Sequence, residues 1–130
     1  MSKWREATAV FSIGAVGYML LELLWRQRTH WTMGLAGGTC LSILYNLYNR
    51  YRSVHFLHKC VTGSLLITVV ELFCGLWVNR MQRWNVWDYS ALPFNLFGQI
   101  CLQYSLYWAV LSGVLVKFCE RLKFFLMRRR

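Results

Sequence analysis

The sequence predicts an all-α integral membrane protein with four transmembrane helices, arranged as two tandem hairpins. Of its 130 residues, 57% are hydrophobic and only 15% are charged. The apolar residues form long blocks separated by short charged clusters, and a single proline is present. Blocks of ~20 apolar residues are the length that a helix needs to cross a bilayer. One small soluble core could not bury this much apolar surface.

The apolar blocks predict four spans within a single domain, 1–130. They run from about 7–25, 32–49, 60–79 and 97–120, and tryptophan or tyrosine residues mark many of their ends, as at membrane interfaces. Each half of the chain has a helix with one glutamate, then arginine and tryptophan, then a glycine and a helix with a cysteine. This shared plan is the basis for the two hairpins. The first block leads directly into further apolar segments, so we expect it to remain as an anchor.

The lysines and arginines predict which side of the membrane each loop occupies. One face would carry eleven of the fifteen, namely Lys3, Arg5, Arg50, Arg52, Lys59, Lys117, Arg121, Lys123, Arg128, Arg129 and Arg130. The opposite face would carry Arg26, Arg28, Arg80 and Arg83. The side richer in cations is normally cytoplasmic. The sequence therefore predicts a multi-pass protein of the cell membrane with both termini in the cytoplasm.

The net charge of +10 and the few recognisable motifs exclude several classes of function. The cations lie at the ends of apolar blocks, so we predict contact with anionic lipid at the cytoplasmic face and no nucleic-acid binding. The five cysteines form no CxxC pair, and His55, His58 and Cys60, whose spacing could hold a metal, provide only three candidate ligands among several cations. No phosphate-binding glycine loop and no nucleophile beside a base is found. We therefore predict no enzyme activity, no cofactor and no metal.

Glu22 and Glu71 lie inside apolar blocks and are the strongest candidates for a functional role. A charged side chain at the centre of a spanning helix costs roughly 2.5–3.5 kcal/mol, and such residues usually mark a functional site. Arg26 follows Glu22 by four residues, which places both on one helical face. A local ion pair is therefore the alternative for Glu22.

Small and polar residues surround Glu71 at helical spacing. Ser64, Thr68 and Gly75 share its face, and the fourth predicted span repeats the pattern with Gln99 and Gln103. Two interpretations remain open: these side chains hydrogen-bond one helix to another, at about 1 kcal/mol each, or they line a hydrated pocket. In the second span, Gly34 and Gly38 would let two helices approach closely, within one chain or across a dimer.

Two outer loops hold the remaining candidates. The first contains Arg28, His30 and Trp31. The second contains Trp87, Asp88, Tyr89, Ser90, Pro93, Phe94, Asn95 and Gly98. Asp88 is expected to bond the amides of the following turn. The functional alternative pairs it with the outer arginines or His30, closing a lid over the two glutamates.

The run Trp87 to Ser90, the sequel Pro93 to Asn95 and the segment Gly98 to Leu102 resemble the bacterial putative ABC-transporter type IV family, also called CmpB-like. The animal transmembrane protein 229 group is similar there. The stretch from Gly17 through Glu22 to Trp31 also fits this family, so the resemblance covers most of the chain. It implies a permease-like role, yet the chain has no ATPase segment.

The sequence supports two main functional hypotheses. The first is a transport or channel-like component, expected to form a homodimer, whose outward-facing polar pocket binds a cation or small polar solute through Glu22, Glu71 and Gln103. The alternative is a module that binds a lipid headgroup or a partner protein without transport. A third hypothesis is a lipid-headgroup enzyme using Asp88 and His30.

Overall fold

Four α-helices make up most of the chain in the computed structural model, which describes residues 2–27, 29–83 and 87–128, without the side chains of Arg26, Arg80 and Met81. The helices are α1 (Lys3–Arg26), α2 (Trp31–Arg50), α3 (Phe56–Gly75) and α4 (Leu102–Met127). A π-helical segment, Leu76–Met81, continues α3, and two short strands, β1 (Asn95–Leu96) and β2 (Ile100–Cys101), precede α4. The predicted all-helical class is confirmed.

Side-chain caps explain where the first two helices begin. The Ser2 hydroxyl accepts a hydrogen bond from the Arg5 amide at 3.2 Å. Nδ1 of His30 accepts one from the Thr32 amide at 3.3 Å. Such caps satisfy amides that the first turn of a helix leaves without partners. At the other end of α1, Gln27 adopts the left-handed conformation with φ 61°, which stops the helix.

The helices pack chiefly in sequential pairs, α1 against α2 and α3 against α4, while α2 also contacts α3 and α4. Glycines permit the close approach of α1 and α2: a Cβ on Gly14 would lie 2.6 Å from the Gly37 carbonyl oxygen. Gly34 and Gly38 also face α1, against Met19 and Phe11 respectively. The glycine spacing in α2 therefore serves packing inside the chain.

Polar side chains join α3 to α4. The Ser64 hydroxyl donates to the Ser105 carbonyl oxygen at 2.6 Å, and the Thr68 and Ser105 hydroxyls lie 2.9 Å apart. These are the helix-to-helix hydrogen bonds that the sequence suggested for this stripe.

Two of the described helical stretches are long and apolar enough to cross a membrane, Lys3–Trp25 and Phe56–Asn79. The first has 23 residues and the second 24, or about 35 Å each at the rise of an α-helix.

The predicted fourth span starts at residue 97, whereas α4 begins at Leu102, because residues 95–101 form the β1–β2 hairpin. Gln99 therefore precedes α4.

Candidate functional site

A cavity of about 340 Å³ lies among the four helices. Its walls are mostly aliphatic and aromatic, and Glu71 is the only charged side chain among the described residues that line it. Cys40 from α2 and Cys74 from α3 also reach the cavity. This lining differs from the polar pocket that the sequence suggested.

Two aromatic side chains hold the Glu71 carboxylate, which is buried at 7% exposure. The Tyr89 hydroxyl donates to Oε2 at 3.1 Å. The indole N–H of Trp108 donates to Oε1 at 3.3 Å. Hydrogen bonds to a carboxylate are among the stronger ones in proteins and fix its orientation. Glu71 is thus held at a defined position in the cavity wall.

The loop between the π-helical segment and α4 delivers Trp87 and Tyr89 to this site. Along residues 87–90, buried and exposed side chains alternate, as in an extended strand. The Tyr89 amide donates to the Gly98 carbonyl oxygen at 2.8 Å. The Tyr89 ring stacks on that of Tyr104 with centroids 4.5 Å apart. Both contacts hold Tyr89 over Glu71.

A buried network holds Trp87. Its indole N–H donates to the Gln99 carbonyl oxygen at 2.9 Å, and its amide donates to Oδ1 of Asn79 at 3.3 Å. Nδ2 of Asn79 donates to Oε1 of Gln99 at 2.8 Å. Asn79 lies in the π-helical segment, a local widening that often occurs at functional sites. Trp87 is therefore tied to two other elements and lines the cavity.

Asn95 and Gly98 shape the turn of this loop. Nδ2 of Asn95 donates to the carbonyl oxygens of Ser90 and Leu92, and its Oδ1 accepts from the Gly98 amide at 3.1 Å. Gly98 has φ +69°, a conformation that L-residues rarely adopt. Pro93 and Phe94 are exposed at the tip.

Replacing Gly98 by valine is expected to destabilise the protein by about 1–3 kcal/mol, because a β-branched residue is strained at positive φ. A Cβ would also lie 3.1 Å from Oδ1 of Asp88. Thermal unfolding in detergent, followed by circular dichroism, measures the loss. Gly98→Asn is the control, since asparagine tolerates this conformation better. Equal melting temperatures for both variants and the parent would contradict the prediction.

Asp88 is exposed and bonds an amide of the following turn, as the sequence predicts. Its Oδ1 accepts from the Ser90 amide at 2.9 Å. Hydrogen bonds from the Ser90 backbone and side chain lower the pKa of Asp88 from its ordinary value. It therefore stays ionised to lower pH than a free aspartate. The alternative is a pairing of Asp88 with an outer arginine. Arg28 and the side chains of Arg26 and Arg80 lie outside the described residues.

The remaining candidate residues that the structure describes do not line the cavity that contains Glu71. Glu22 is buried at 5% exposure, but its predicted partner, the Arg26 side chain, lies outside the described residues. Gln103 is exposed and donates to the Tyr107 hydroxyl at 2.9 Å, so it does not share the cavity with Glu71. His30 caps α2, as described above, and exposed Trp31 lies beside it with ring centroids 5.5 Å apart.

Sequence reasoning missed Trp108 and Tyr18, which both line the cavity. Trp108 lies deep in an apolar segment, where an indole N–H requires a partner. This requirement could have paired it with a buried glutamate. Among the described residues, no group of three histidine, cysteine or acidic side chains is arranged to hold a metal.

Exposed apolar side chains of α1 and α4 form part of the cavity lining. Ile13 and Leu21 belong to α1, and Val114 and Phe118 to α4; they are 38%, 46%, 63% and 40% exposed. The exposed part of the cavity lining thus lies on α1 and α4.

The family model described as "Putative ABC-transporter type IV" matches residues 9–129. The chain belongs to this family. The match covers Glu71, its two hydrogen-bond donors and the whole loop around Trp87, and it confirms the resemblance to this family seen in the sequence. No curated protein and no solved structure matches the chain. Membership of the ABC-transporter type IV family and the two long apolar helices both indicate a membrane location.

Proposed function

We propose that this protein is a membrane-spanning transport component that binds an organic cation with apolar substituents. The observation that carries the proposal is Glu71, a fixed carboxylate in an otherwise apolar, aromatic cavity. A carboxylate favours a positive charge, while apolar walls favour hydrocarbon substituents. Few ligand classes satisfy both demands at once.

The lining favours an organic cation over an inorganic ion or a neutral polar solute. A metal cation such as Ca²⁺ takes six to eight oxygen ligands, and a polar solute needs several placed donors and acceptors. The described lining supplies one carboxylate beside aromatic rings, including Tyr18, Trp87 and Trp108. Aromatic faces attract organic cations by about 0.5–2 kcal/mol.

The proposal includes four membrane spans, with both termini in the cytoplasm as the lysine and arginine distribution suggests. Exposed apolar side chains on the two more polar helices support this arrangement. Leu106, Val110 and Val114 form a stripe on α4 with exposures of 59%, 73% and 63%, and Leu35 and Ile43 of α2 are 50% and 43% exposed. Such surfaces suit a hydrocarbon environment.

Binding of benzyltrimethylammonium to the purified protein tests the ligand class. Its uncharged carbon isostere, neopentylbenzene, is the matched control, because the two differ in charge and hardly in shape. We expect the cation to bind at least tenfold more tightly, as measured by native mass spectrometry or tryptophan fluorescence. Equal binding of the two compounds would refute a charge-selective site. The same mass spectra count protomers and so test the expected homodimer.

Glu71→Gln is expected to weaken cation binding on the order of 30-fold or more, since removing one partner of a buried charge pair costs at least about 2 kcal/mol. Glu120→Gln is the matched control, because Glu120 does not line the cavity. An unchanged affinity in folded Glu71→Gln would refute the proposed site.

Uptake of the labelled cation by protein-containing vesicles tests transport. Binding without uptake would favour the binding-module alternative.

A further inference from the structure

A second pocket, of about 380 Å³, lies where α1 begins and α4 ends. Three helices supply its polar side chains, which are Lys3 and Glu6 of α1, Ser42, Tyr45 and Asn46 of α2, and Lys123 of α4. None of these residues lines the cavity around Glu71. The pocket is therefore a separate feature of the molecule.

The buried carboxylate of Glu6 fixes the ammonium group of Lys123, one of the two lysines in the pocket. Oε1 of Glu6 accepts from Nζ of Lys123 at 2.7 Å and from the Tyr45 hydroxyl at 2.7 Å. The Lys123 Nζ also lies 5.7 Å from the centroid of the Tyr45 ring. The Glu6 side chain is 12% exposed, whereas the Lys123 side chain is 29% exposed. Because Lys123 is held in place yet reaches the surface, it would lose little freedom on binding an anion.

The charges of the pocket and its partly apolar wall suit a phosphodiester that carries hydrocarbon. Two lysines and one glutamate give a formal charge of +1, which complements the single negative charge of a phosphodiester. Ala7 and Val10 form an apolar part of the wall. Trp4, beside the pocket in sequence, is 84% exposed, and tryptophan favours the headgroup level of a bilayer.

We propose that this pocket binds the phosphate of a membrane phospholipid. Lys3 and Lys123 contact the phosphate oxygens, Ser42 and Asn46 lie beside the glycerol portion, and Glu6 positions Lys123. Further exposed cations at the same end of the molecule, including Lys117, Arg121 and Arg128, attract anionic lipid to this face. The lipid would stabilise the contact between the start of α1 and the end of α4.

Native mass spectrometry of the detergent-solubilised protein, titrated with phosphatidylglycerol, tests this proposal. Diacylglycerol with the same acyl chains is the phosphate-free control, and glycerol phosphate is the soluble one. We expect one tightly bound phosphatidylglycerol and at least tenfold weaker binding of diacylglycerol. Equal binding of diacylglycerol would overturn the phosphate site. Glycerol phosphate that binds as tightly as the lipid would overturn its assignment to a lipid.

Lys3→Gln is expected to weaken phosphatidylglycerol binding at least fivefold without unfolding the protein, because Lys3 is exposed. Lys117→Gln removes an equally exposed cation outside the pocket and is expected to leave the tight site unchanged. The double variant Glu6→Gln/Lys123→Gln, which leaves no buried charge without its partner, should also lose the tight lipid. Retention of that lipid by both folded pocket variants would overturn the proposal. Cation binding at Glu71 should be unaffected in Lys3→Gln.

Discussion

Gly14→Ala is expected to lower the free energy of unfolding by about 1–3 kcal/mol, the usual cost of overpacking. The new Cβ would lie 2.6 Å from the Gly37 carbonyl oxygen and 2.7 Å from Cβ of Leu41. Neither neighbour is the flexible end of a side chain, so α1 and α2 must separate. Unfolding by a denaturing detergent, followed by circular dichroism, measures the change.

Gly17→Ala is the matched control, since it makes the same substitution one turn away in α1. Apart from its chain neighbours and the adjacent backbone of α1, a Cβ on Gly17 meets no atom within 4 Å. Alanine favours the helix over glycine by up to about 1 kcal/mol, so this variant should be as stable as the parent or more stable. If the two variants behaved alike, the close approach of α1 and α2 at Gly14 would be wrong.

Trp87→Ala is expected to cost about 3–5 kcal/mol, as do other truncations of large buried aromatic residues. Trp87 is only 5% exposed, and its ring packs in the cluster that contains Met33, Val78 and Cys101. The truncation would also leave the Gln99 carbonyl oxygen without the indole donor. The melting temperature in detergent should therefore fall strongly, and cation binding should weaken because the ring lines the cavity.

Two controls separate the contributions of Trp87. Trp87→Phe retains most of the volume but loses the indole hydrogen bond, which is worth about 1 kcal/mol. Trp4→Ala removes a tryptophan that is 84% exposed, and exposed substitutions usually change stability by no more than about 0.5 kcal/mol. A loss for Trp87→Ala no larger than that for Trp4→Ala would contradict the buried position of Trp87.

The helical class and the need of Glu71 for hydrogen-bond partners could be predicted because both follow from local pattern. Apolar blocks of spanning length specify helices, and a carboxylate in such a block must find partners. The spacing of Ser64 and Thr68 likewise indicated a polar helix contact. The turn role of Asp88 followed from the tendency of aspartate to bond the amide two residues ahead.

The partners of these residues could not be predicted, because they depend on contacts between distant segments. Gln99 and Gln103 look equivalent in the sequence, yet the hairpin before α4 leaves Gln99 in a buried network and Gln103 at the surface. The donors Tyr89 and Trp108 are 18 and 37 residues from Glu71. Helix periodicity carries no information on contacts of that range.

In the proposed arrangement with four membrane spans, the exposed cavity residues of α1 and α4 would face the bilayer, and a ligand would enter from lipid rather than from water. At equilibrium with lipid, the aqueous ligand concentration at half saturation equals the mole fraction of ligand in the lipid divided by its partition coefficient. Each methylene added to an alkylammonium compound should lower that concentration about fourfold, since transfer of a CH₂ from water contributes about 0.8 kcal/mol. The mole fraction of ligand in the lipid at half saturation would stay constant along the series. Ranking ligands for this protein therefore requires both the aqueous concentration and the mole fraction in the lipid at half saturation.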